Sequence, residues 1–357
     1  MKGILIFTGY NQRAVIAFLR TLTSLKIDNY FLVAVPDDSI KRTVYADKVV
    51  YTRENLDLDI YLFEKIKNLS EMENLLIIPS TEALNRFILK ERAWLEKIGY
   101  EIPLVDRNLY ESISDKQSFY NLCESIGLPV PGIIPLNTCY TSPFVAKPKK
   151  YYNAEGRQFN PIIVKNEIEY ENFCRDYPVN DFDIQEYIEG ESFYLLFYFG
   201  INGETYSFAQ QNIAQQPGGK SIVAAITSEI YKEDIAIEYI NLFHKCKFTG
   251  LVMVELRKKN DTYYMIEANP RLWGPSELFV KAGVNLFIPF LKDNGFISGF
   301  SLNKPNMAAR YLWNDGIKET MAKGQQIVMY SKCNEAFYKD DEWLKWDIYN
   351  SDDTMEI

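Results

Sequence analysis

The chain has 357 residues, 47% of them apolar and 15% aromatic, with a formal net charge of −9 at neutral pH. This length exceeds one typical hydrophobic core, so we expect two or three domains, and the acidic balance excludes a general nucleic-acid-binding protein. No stretch approaches the roughly 18 apolar residues of a membrane span, so no membrane partner is expected. The five cysteines form no Cys-x-x-Cys pair, which favours a reduced, cytoplasmic setting.

The first part of the chain, residues 1–112, alternates between apolar strand patterns and amphipathic helical patterns. This alternation predicts a parallel sheet covered by helices. The first turn lacks Gly-x-Gly-x-x-Gly, so a dinucleotide-binding fingerprint is not supported. Strands are predicted at residues 3–8, 30–35, 49–51 and 74–79, and helices at residues 13–25 and 82–98.

A second region, residues 113–184, begins with a helix. Ser114 or Asp115 is expected to cap this helix, which carries Lys116 in its first turn and stops at Gly127. The same region is predicted to contain strands at residues 143–148 and 161–165, separated by a mobile polar loop at residues 149–160.

The third region, residues 185–357, contains two features that look like catalytic motifs but that we reject as such. Residues 216–221 end like a Walker A loop, but Ala214 stands where that motif needs its first glycine, so we reject a P-loop site. The only histidine, His244, lies in a predicted helix and is expected to be structural. Its solitary position argues against nucleophilic hydrolase chemistry, which depends on a histidine base.

A β-hairpin predicted from residues 251–257 and 263–271 is the most informative segment for function. Folding it at the polar break between the two strands places Glu255 directly opposite Glu267. Asn269 shares the face of Glu267, because side chains two positions apart on a strand point the same way. Facing carboxylates are unfavourable unless a cation neutralises them, and oxygen ligands of this kind suit Mg²⁺.

The order Glu-x-Asn-Pro-Arg at residues 267–271 is poorly explained by a plain surface hairpin. Arg271 is expected to hold a phosphate from the same side as the carboxylates. The alternative is a solvated hairpin with two surface acids. A slip of one residue in the register would send Glu255 and Glu267 to opposite faces.

Taken together, these segments resemble the ATP-grasp superfamily, with the closest similarity to its carbamoyl-phosphate-synthetase-like, carboxylate–amine ligase branch. The resemblance covers residues 1–294. It rests on motifs in the family's order: Ser114-Asp115-Lys116, Phe144-Val-Ala-Lys147-Pro148, Gln185-Glu-Tyr-Ile-Glu-Gly190, and Glu255 with Glu267-Ala-Asn269-Pro-Arg271, followed by Trp273-Gly274 and Ala282-Gly283-Val284.

The fold that this resemblance implies is a mixed α/β and α+β ATP-grasp fold. It has a Rossmann-like N-terminal domain (residues 1–112), a small lid subdomain (residues 113–184), and a larger C-terminal antiparallel-sheet subdomain with a C-terminal extension (residues 185–357). The resemblance also implies roles for individual residues. These are Glu255, Glu267 and Asn269 as metal ligands, Lys116 and Lys147 on the ATP phosphates, Glu186, Tyr187 and Ile188 as the adenine hinge, Glu191 near the ribose, and Arg271 with Lys147 as catalytic residues.

The activity that the resemblance implies is an ADP-forming, ATP- and Mg²⁺-dependent ligase, with Mn²⁺ as the alternative metal. It would join a carboxylate to an amine, or to a similar nucleophile, through an acyl-phosphate. The expected partners are small-molecule carboxylate and amine substrates, contacted by Glu82 and the loop after Thr8, and a second copy of the chain in a homodimer. Two alternatives stay open: a catalytically silent ATP-binding regulatory or scaffold protein, and an ATP-grasp enzyme of different outcome, either a carboxylase or a phosphotransferase.

The chain departs from the family's pattern at several positions. Ser192 stands where many relatives carry an acid for the ribose hydroxyls, which is why Glu191 is the nearest substitute. Pro275 replaces the usual small residue after Trp273-Gly274, and the resemblance thins after residue 300. Unusual substrate recognition is also expected, because glutamines stand where relatives often carry arginines: Gln210, Gln211, Gln215 and Gln216.

Overall fold

The computed structural model describes residues 1–135, 140–149, 161–331 and 336–354. These residues form three β-sheets with helices packed against them, which confirms a mixed α/β and α+β architecture. Only Lys149 of the predicted polar loop lies within the described residues. Every helix in the described ranges is too short or too polar to span a lipid bilayer.

The first sheet is parallel and has five strands. Its elements are β1 (Lys2–Phe7), α1 (Gln12–Ser24), β2 (Tyr30–Ala34), β3 (Val49–Thr52), α2 (Ile60–Ser70), β4 (Asn74–Ile77), α3 (Glu82–Lys90), α4 (Arg92–Lys97) and β5 (Tyr100–Glu101). The strand order is β3-β2-β1-β4-β5. Alternate residues of β1 face opposite layers: Ile4 packs with α1, and Leu5 packs with α2 and α3.

The helix predicted over residues 82–98 is divided in two. At Glu91 the backbone angles of φ −99° and ψ 15° leave the helical range, so α3 ends there and α4 begins at Arg92. After this break Leu95 packs into the same core as Ile88. Neither proline nor glycine marks the position, so burial of the second segment, rather than a local breaker, accounts for the break.

Two helices lead from the first sheet to the second: α5 (Arg107–Ser114) and α6 (Lys116–Ser125). The Asp115 side chain accepts a hydrogen bond from the Ser118 N–H at 2.9 Å. Asp115 is therefore the cap of α6, whereas Ser114 ends α5. Gly127 follows with φ of 82°, which lets the chain reverse after α6.

The second sheet is small and antiparallel. Its elements are β6 (Phe144–Pro148), β7 (Ile162–Val164), α7 (Glu167–Asp176) and β8 (Phe182–Glu186). The strand order is β7-β6-β8, so Lys147 lies on the central strand. Phe144 of β6 packs edge-on against Phe173 of α7, with ring centroids 5.9 Å apart, and this contact closes the core beneath the sheet.

The third sheet is antiparallel and has seven strands. Its elements are β9 (Glu191–Phe199), β10 (Thr205–Gln215), β11 (Ile222–Thr227), α8 (Asp234–Lys245), β12 (Gly250–Lys259), β13 (Thr262–Asn269), α9 (Glu277–Lys281), α10 (Phe287–Asp293), β14 (Arg310–Leu312), α11 (Asn314–Ala322), β15 (Val328–Met329) and α12 (Asp341–Leu344). The strand order is β13-β12-β9-β10-β11-β14, and β15 pairs with the end of β10. One face packs on α8 and α6, and the other packs on α1, α9 and α10.

The last residues described return to the first sheet. Asp353 accepts hydrogen bonds from Arg20 of α1 at 2.7 Å and from the Tyr45 hydroxyl at 2.8 Å. The same Arg20 guanidinium lies 3.0 Å from Oε1 of Glu277 on α9. This ion network therefore joins α1, α9 and the C-terminal segment. The domain boundaries predicted above stay a prediction.

Candidate functional site

The β12–β13 hairpin has the register that the sequence predicts. Glu255 pairs with Glu267 across the two strands, and Met253 pairs with Asn269. The two-residue loop Asn260-Asp261 has positive φ at both positions, 50° and 61°, as tight hairpin turns require. The prediction that the two carboxylates and the amide share one face of the sheet is confirmed.

A β-bulge interrupts this hairpin between Glu255 and Leu256. Because Leu256 pairs with Met265 while Glu255 pairs with Glu267, β13 contains one extra residue here, Ile266. The Ile266 carbonyl accepts a hydrogen bond from Nζ of Lys147 at 2.9 Å. The bulge is thus the point at which the lysine of the second sheet contacts the third sheet.

Glu255 is buried and has a cation beside it. Nη2 of Arg257 lies 3.1 Å from its Oε1 atom. Burial raises the pKa of the Glu255 carboxyl, and the facing Glu267 raises it further, although Arg257 opposes both effects. The carboxylate is therefore kept in an environment where an added cation would be strongly favoured.

Glu267 is held by two donors. Nζ of Lys116 lies 3.0 Å from Oε2, and the Asn269 amide donates to Oε1 at 2.8 Å. Burial alone would raise the pKa of the Glu267 carboxyl, but Lys116, Asn269 and Arg271 together lower it to about 2. These contacts favour the ionised form of the Glu267 carboxyl.

Lys147 is the most enclosed cation of the group. Burial, together with the nearby charge of Lys116, lowers the pKa of its ammonium to about 8. Lys116 is the first residue of α6, and Lys147 belongs to β6. Two lysines that are distant in sequence thus converge on the Glu255–Glu267 pair.

Arg271 lies at the end of the same patch. Its Nη2 donates to Oδ1 of Asn269 at 3.2 Å, and its Nη1 donates to the Leu272 carbonyl at 2.9 Å. Its Nε is buried and has no hydrogen-bond partner among the described protein atoms. One donor of this guanidinium is therefore free for a ligand.

The predicted hinge and ribose residues make contacts with side chains other than those of the carboxylate pair and its cations. Glu186 accepts a hydrogen bond from Lys259 at 2.8 Å, and Tyr187 lies beneath the Lys165 ammonium at 4.8 Å. Ile188 is buried. Glu191, at the start of β9, accepts a hydrogen bond at 2.7 Å from Gln211.

Two side chains that sequence reasoning did not select, Arg257 and Tyr330, also belong to this patch, and Gln215 contacts both of them. Nη2 of Arg257 donates to the Tyr330 hydroxyl at 2.7 Å and to Oε1 of Gln215 at 3.2 Å. The signal for Arg257 was its position, two residues after Glu255 on a strand. Tyr330 lies more than 70 residues further along the chain, and no local pattern indicates it.

Solved structures identify the fold. An ADP complex of the N5-carboxyaminoimidazole ribonucleotide synthetase purK is 17% identical, with a TM-score of 0.61 over 90% of this chain and 85% of that chain. The biotin carboxylase domain of a Hydrogenobacter thermophilus 2-oxoglutarate carboxylase, with MgADP and bicarbonate, is 14% identical, with a TM-score of 0.61 over 86% of this chain and 73% of that chain. The chain has the ATP-grasp fold.

Other comparisons limit what this fold assignment says about activity. Pyruvate carboxylase from Rhizobium etli matches 82% of this chain at 14% identity and a TM-score of 0.60, but the chain spans only 27% of that protein's length. No protein-family model and no curated protein sequence matches the chain. The ATP-grasp fold is therefore carried here by a divergent sequence, and the activity must be argued from the side chains.

Proposed function

We propose that the chain is an ATP- and Mg²⁺-dependent ligase that joins a carboxylate to an amine and releases ADP and phosphate. The observation that carries this proposal is the convergence of Lys116 and Lys147 on the facing pair of Glu255 and Glu267. Phosphoryl transfer depends on neutralising charge and aligning the reacting groups, and such a cluster provides both.

The donor set fits a hard divalent cation. No group of three or more His, Cys, Asp or Glu side chains in the described ranges is arranged for a metal ion. The hairpin instead offers two carboxylates and one amide on one face, so a cation there would bind Glu255, Glu267 and the Asn269 amide oxygen. Water and phosphate oxygens would complete its coordination shell. This arrangement is typical of Mg²⁺, which keeps several waters and binds through one or two carboxylates. When bound, Mg²⁺ would neutralise the ATP phosphates; Mn²⁺ stays an alternative prediction.

The charge of the patch also suits a polyanionic nucleotide. Four cations, Lys116, Lys147, Arg257 and Arg271, surround two carboxylates. The surplus positive charge favours binding of a triphosphate. We propose that Lys116 leaves Glu267 for the phosphates when nucleotide and cation bind, and that Lys147 contacts them from the second sheet. Residues 186–188 and Glu191 are proposed to receive the adenine and the ribose.

The carboxylate substrate is proposed to lie beside the loop that follows β1. There the side-chain amide of Gln12 and the indole N–H of Trp273 are buried without hydrogen-bond partners among the described protein atoms. Nearby, the buried Arg13 guanidinium donates to neutral acceptors, among them Oγ of Ser221 at 2.8 Å. Buried donors without an anionic partner favour a carboxylate ligand, and substrates commonly bind at the carboxyl ends of parallel strands.

The proposed reaction has two steps. A substrate carboxylate oxygen attacks the γ-phosphorus of ATP, and the bond between this phosphorus and the β,γ-bridging oxygen breaks. ADP is the leaving group, and the product is an acyl-phosphate. The amine nitrogen then attacks the acyl carbon, phosphate leaves, and the nitrogen gives up a proton. Lys147 and Arg271 would stabilise the charge on the transferring phosphoryl group in both steps. A site closed by the second sheet would protect the acyl-phosphate from water.

A carboxylase is the second candidate. Some of the solved structures with this fold are carboxylases, and one of them contains bicarbonate. Bicarbonate is itself a carboxylate-like oxygen nucleophile, so the same cluster would activate it. The substrate that stimulates ATP consumption separates the two candidates.

The test is ATP consumption by the full chain with Mg²⁺, followed as ADP and phosphate release. Pools of amino acids, small carboxylates and bicarbonate are added separately, with and without hydroxylamine. A carboxylate-dependent release with a hydroxamate product is expected. Release that requires bicarbonate would favour the carboxylase, and binding of ATP without turnover in any pool would favour the silent regulatory alternative.

We further propose a cytoplasmic location and a homodimer. Cys123, Cys174 and Cys246 are free thiols, which agrees with a reducing compartment. Cys139 and Cys333 lie outside the described residues. Light scattering during size-exclusion chromatography tests the dimer, because a particle of the monomer's mass, 41.6 kDa, would contradict it.

A further inference from the structure

Arg257 is bound to one oxygen of a proposed metal ligand. It follows Glu255 by two positions on β12, so the two side chains share a face of the third sheet. The Arg257 Nη2 lies 3.1 Å from Oε1 of Glu255, and both side chains are almost fully buried. A guanidinium held against one carboxylate oxygen also fixes the direction of the other oxygen.

Tyr330 holds this guanidinium from the C-terminal segment. The pairing of β15 with β10 (Met329 opposite Ala214) and the hydrogen bond from the Tyr330 N–H to the Ile213 carbonyl at 2.9 Å fix its backbone. The Tyr330 ring lies 3.9 Å from the guanidinium carbon of Arg257, and its hydroxyl accepts from Nη2 at 2.7 Å. The arginine thus has a stacking partner and an acceptor from the same residue.

Gln215 completes the arrangement. Its Oε1 accepts hydrogen bonds from Nη2 of Arg257, at 3.2 Å, and from the Tyr330 hydroxyl. Its Nε2 donates to the Lys220 carbonyl at 2.7 Å, so the amide cannot turn without losing that bond. Gln215 is one of the glutamines that stand where ATP-grasp relatives often carry arginines, and here it is a partner of Arg257.

A purely structural role explains this arrangement less well. β15 contains only two residues, so its pairing with β10 adds little stability by itself. Two polar groups, the Tyr330 hydroxyl and the Gln215 amide oxygen, nevertheless converge on one guanidinium whose third polar partner is Glu255. Residues that orient a metal ligand in this way affect metal affinity even though they do not touch the metal.

We propose that Tyr330 is a positioning residue: with Gln215 it fixes Arg257 against Glu255, so that the C-terminal segment completes the metal–nucleotide site. This inference rests on the proposed function, because it requires Glu255 to bind a cation. It predicts that changes at Tyr330 alter the Mg²⁺-dependent part of nucleotide binding and leave the metal-independent part unchanged.

The test is isothermal titration calorimetry of the full chain with ADP, once in Mg²⁺ and once in EDTA. Tyr330→Phe removes only the hydroxyl, and we expect about 3- to 10-fold weaker binding of MgADP, as the loss of one hydrogen bond predicts. Affinity for ADP in EDTA should not change. Arg257→Lys keeps the charge but loses the forked geometry, so at least as large a loss of MgADP affinity is expected.

Tyr338→Phe is the matched control, because it makes the same chemical change in the same segment. The Tyr338 hydroxyl contacts Sδ of Met321 at 3.6 Å, away from Arg257. The inference is overturned if Tyr330→Phe binds MgADP as the control does, or if it weakens binding equally in Mg²⁺ and in EDTA. Absence of Mg²⁺-stimulated ADP binding in the wild-type chain would overturn the proposed function as well.

Discussion

Lys116 and Glu267 form an ion pair across two elements, with Nζ 3.0 Å from Oε2. The lysine begins α6 and the glutamate lies on β13. In an enzyme that binds Mg²⁺ and ATP, each partner has a second use: the carboxylate binds the cation and the ammonium binds phosphate. On the proposed function, the ion pair represents the site before ligands arrive, and its separation would accompany binding.

Replacement of Lys116 by Met tests this view of the ion pair. We expect ADP to bind about 10- to 100-fold more weakly, because one charged contact to phosphate is lost. Calorimetry measures the change. Lys97→Met alters an exposed lysine of α4 and should bind as the wild type does; equal affinity in both variants would contradict the assignment of Lys116.

Replacement of Glu267 by Gln keeps the shape of the side chain and removes its charge. Binding of MgADP should weaken by at least about tenfold, as losses at metal sites commonly do. The unfolding temperature should change little, because the variant also removes a carboxylate that faces Glu255. The exposed Glu238 on α8 provides the control, Glu238→Gln. Full MgADP affinity in Glu267→Gln would be inconsistent with a metal at the hairpin.

Gly274 allows Arg13 to lie against the segment that follows β13. A Cβ added at Gly274 would lie 2.9 Å from Nη2 of Arg13. Because hydrogen bonds to Ser221 and to the Ile222 carbonyl hold the guanidinium, Gly274→Ala should destabilise the chain by about 1–3 kcal/mol, as overpacking does.

Urea unfolding measures this difference. A Cβ at Gly299 would meet no atom within 4 Å, and its φ lies outside the left-handed range. Gly299→Ala should therefore be close to neutral. If both alanine variants unfold at the same urea concentration, the proposed close contact at Gly274 is wrong.

Asp353 makes a contribution to stability that depends on pH. Burial would raise the pKa of its carboxyl, but the hydrogen bond and charge of Arg20, with help from Tyr45, lower it. A carboxylate with a lowered pKa stabilises the fold above its ordinary pKa near 4, and the contribution is lost as the pH falls through the lower value in the folded protein.

Asp353→Asn should accordingly lower the free energy of unfolding by about 1–2 kcal/mol at pH 7. This value is smaller than that for a fully buried charged hydrogen bond, because the side chain is partly exposed. The difference in free energy of unfolding between this variant and the wild type should become smaller between pH 4 and pH 3. Urea unfolding at each pH provides the measurement, and a constant difference over this range would contradict the assignment.

Strong local patterns predicted the main elements of the fold and the centre of the site. Period-two alternation in β12 and β13, with a polar two-residue break, was enough to place Glu255 opposite Glu267. The cap at Asp115 was one of two candidates, and the hydrogen bond that its side chain accepts from the Ser118 N–H distinguishes it from Ser114.

Long-range and weakly patterned features were not predictable. α2 and α5 lacked a clear signal, and the break at Glu91 has no local breaker. The contact of Tyr330 with Arg257 and that of Arg20 with Asp353 join residues 73 and 333 positions apart. Neither pair shares a motif, and each depends on where the C-terminal segment packs.

The most direct test of the site is a crystal structure of the chain with Mg²⁺ and a non-hydrolysable ATP analogue. We predict a cation bound to oxygens of Glu255 and Glu267 at about 2.0–2.1 Å, with the γ-phosphate beside Lys147 and Arg271. A nucleotide bound elsewhere, or a cation that leaves both glutamates unliganded, would contradict it.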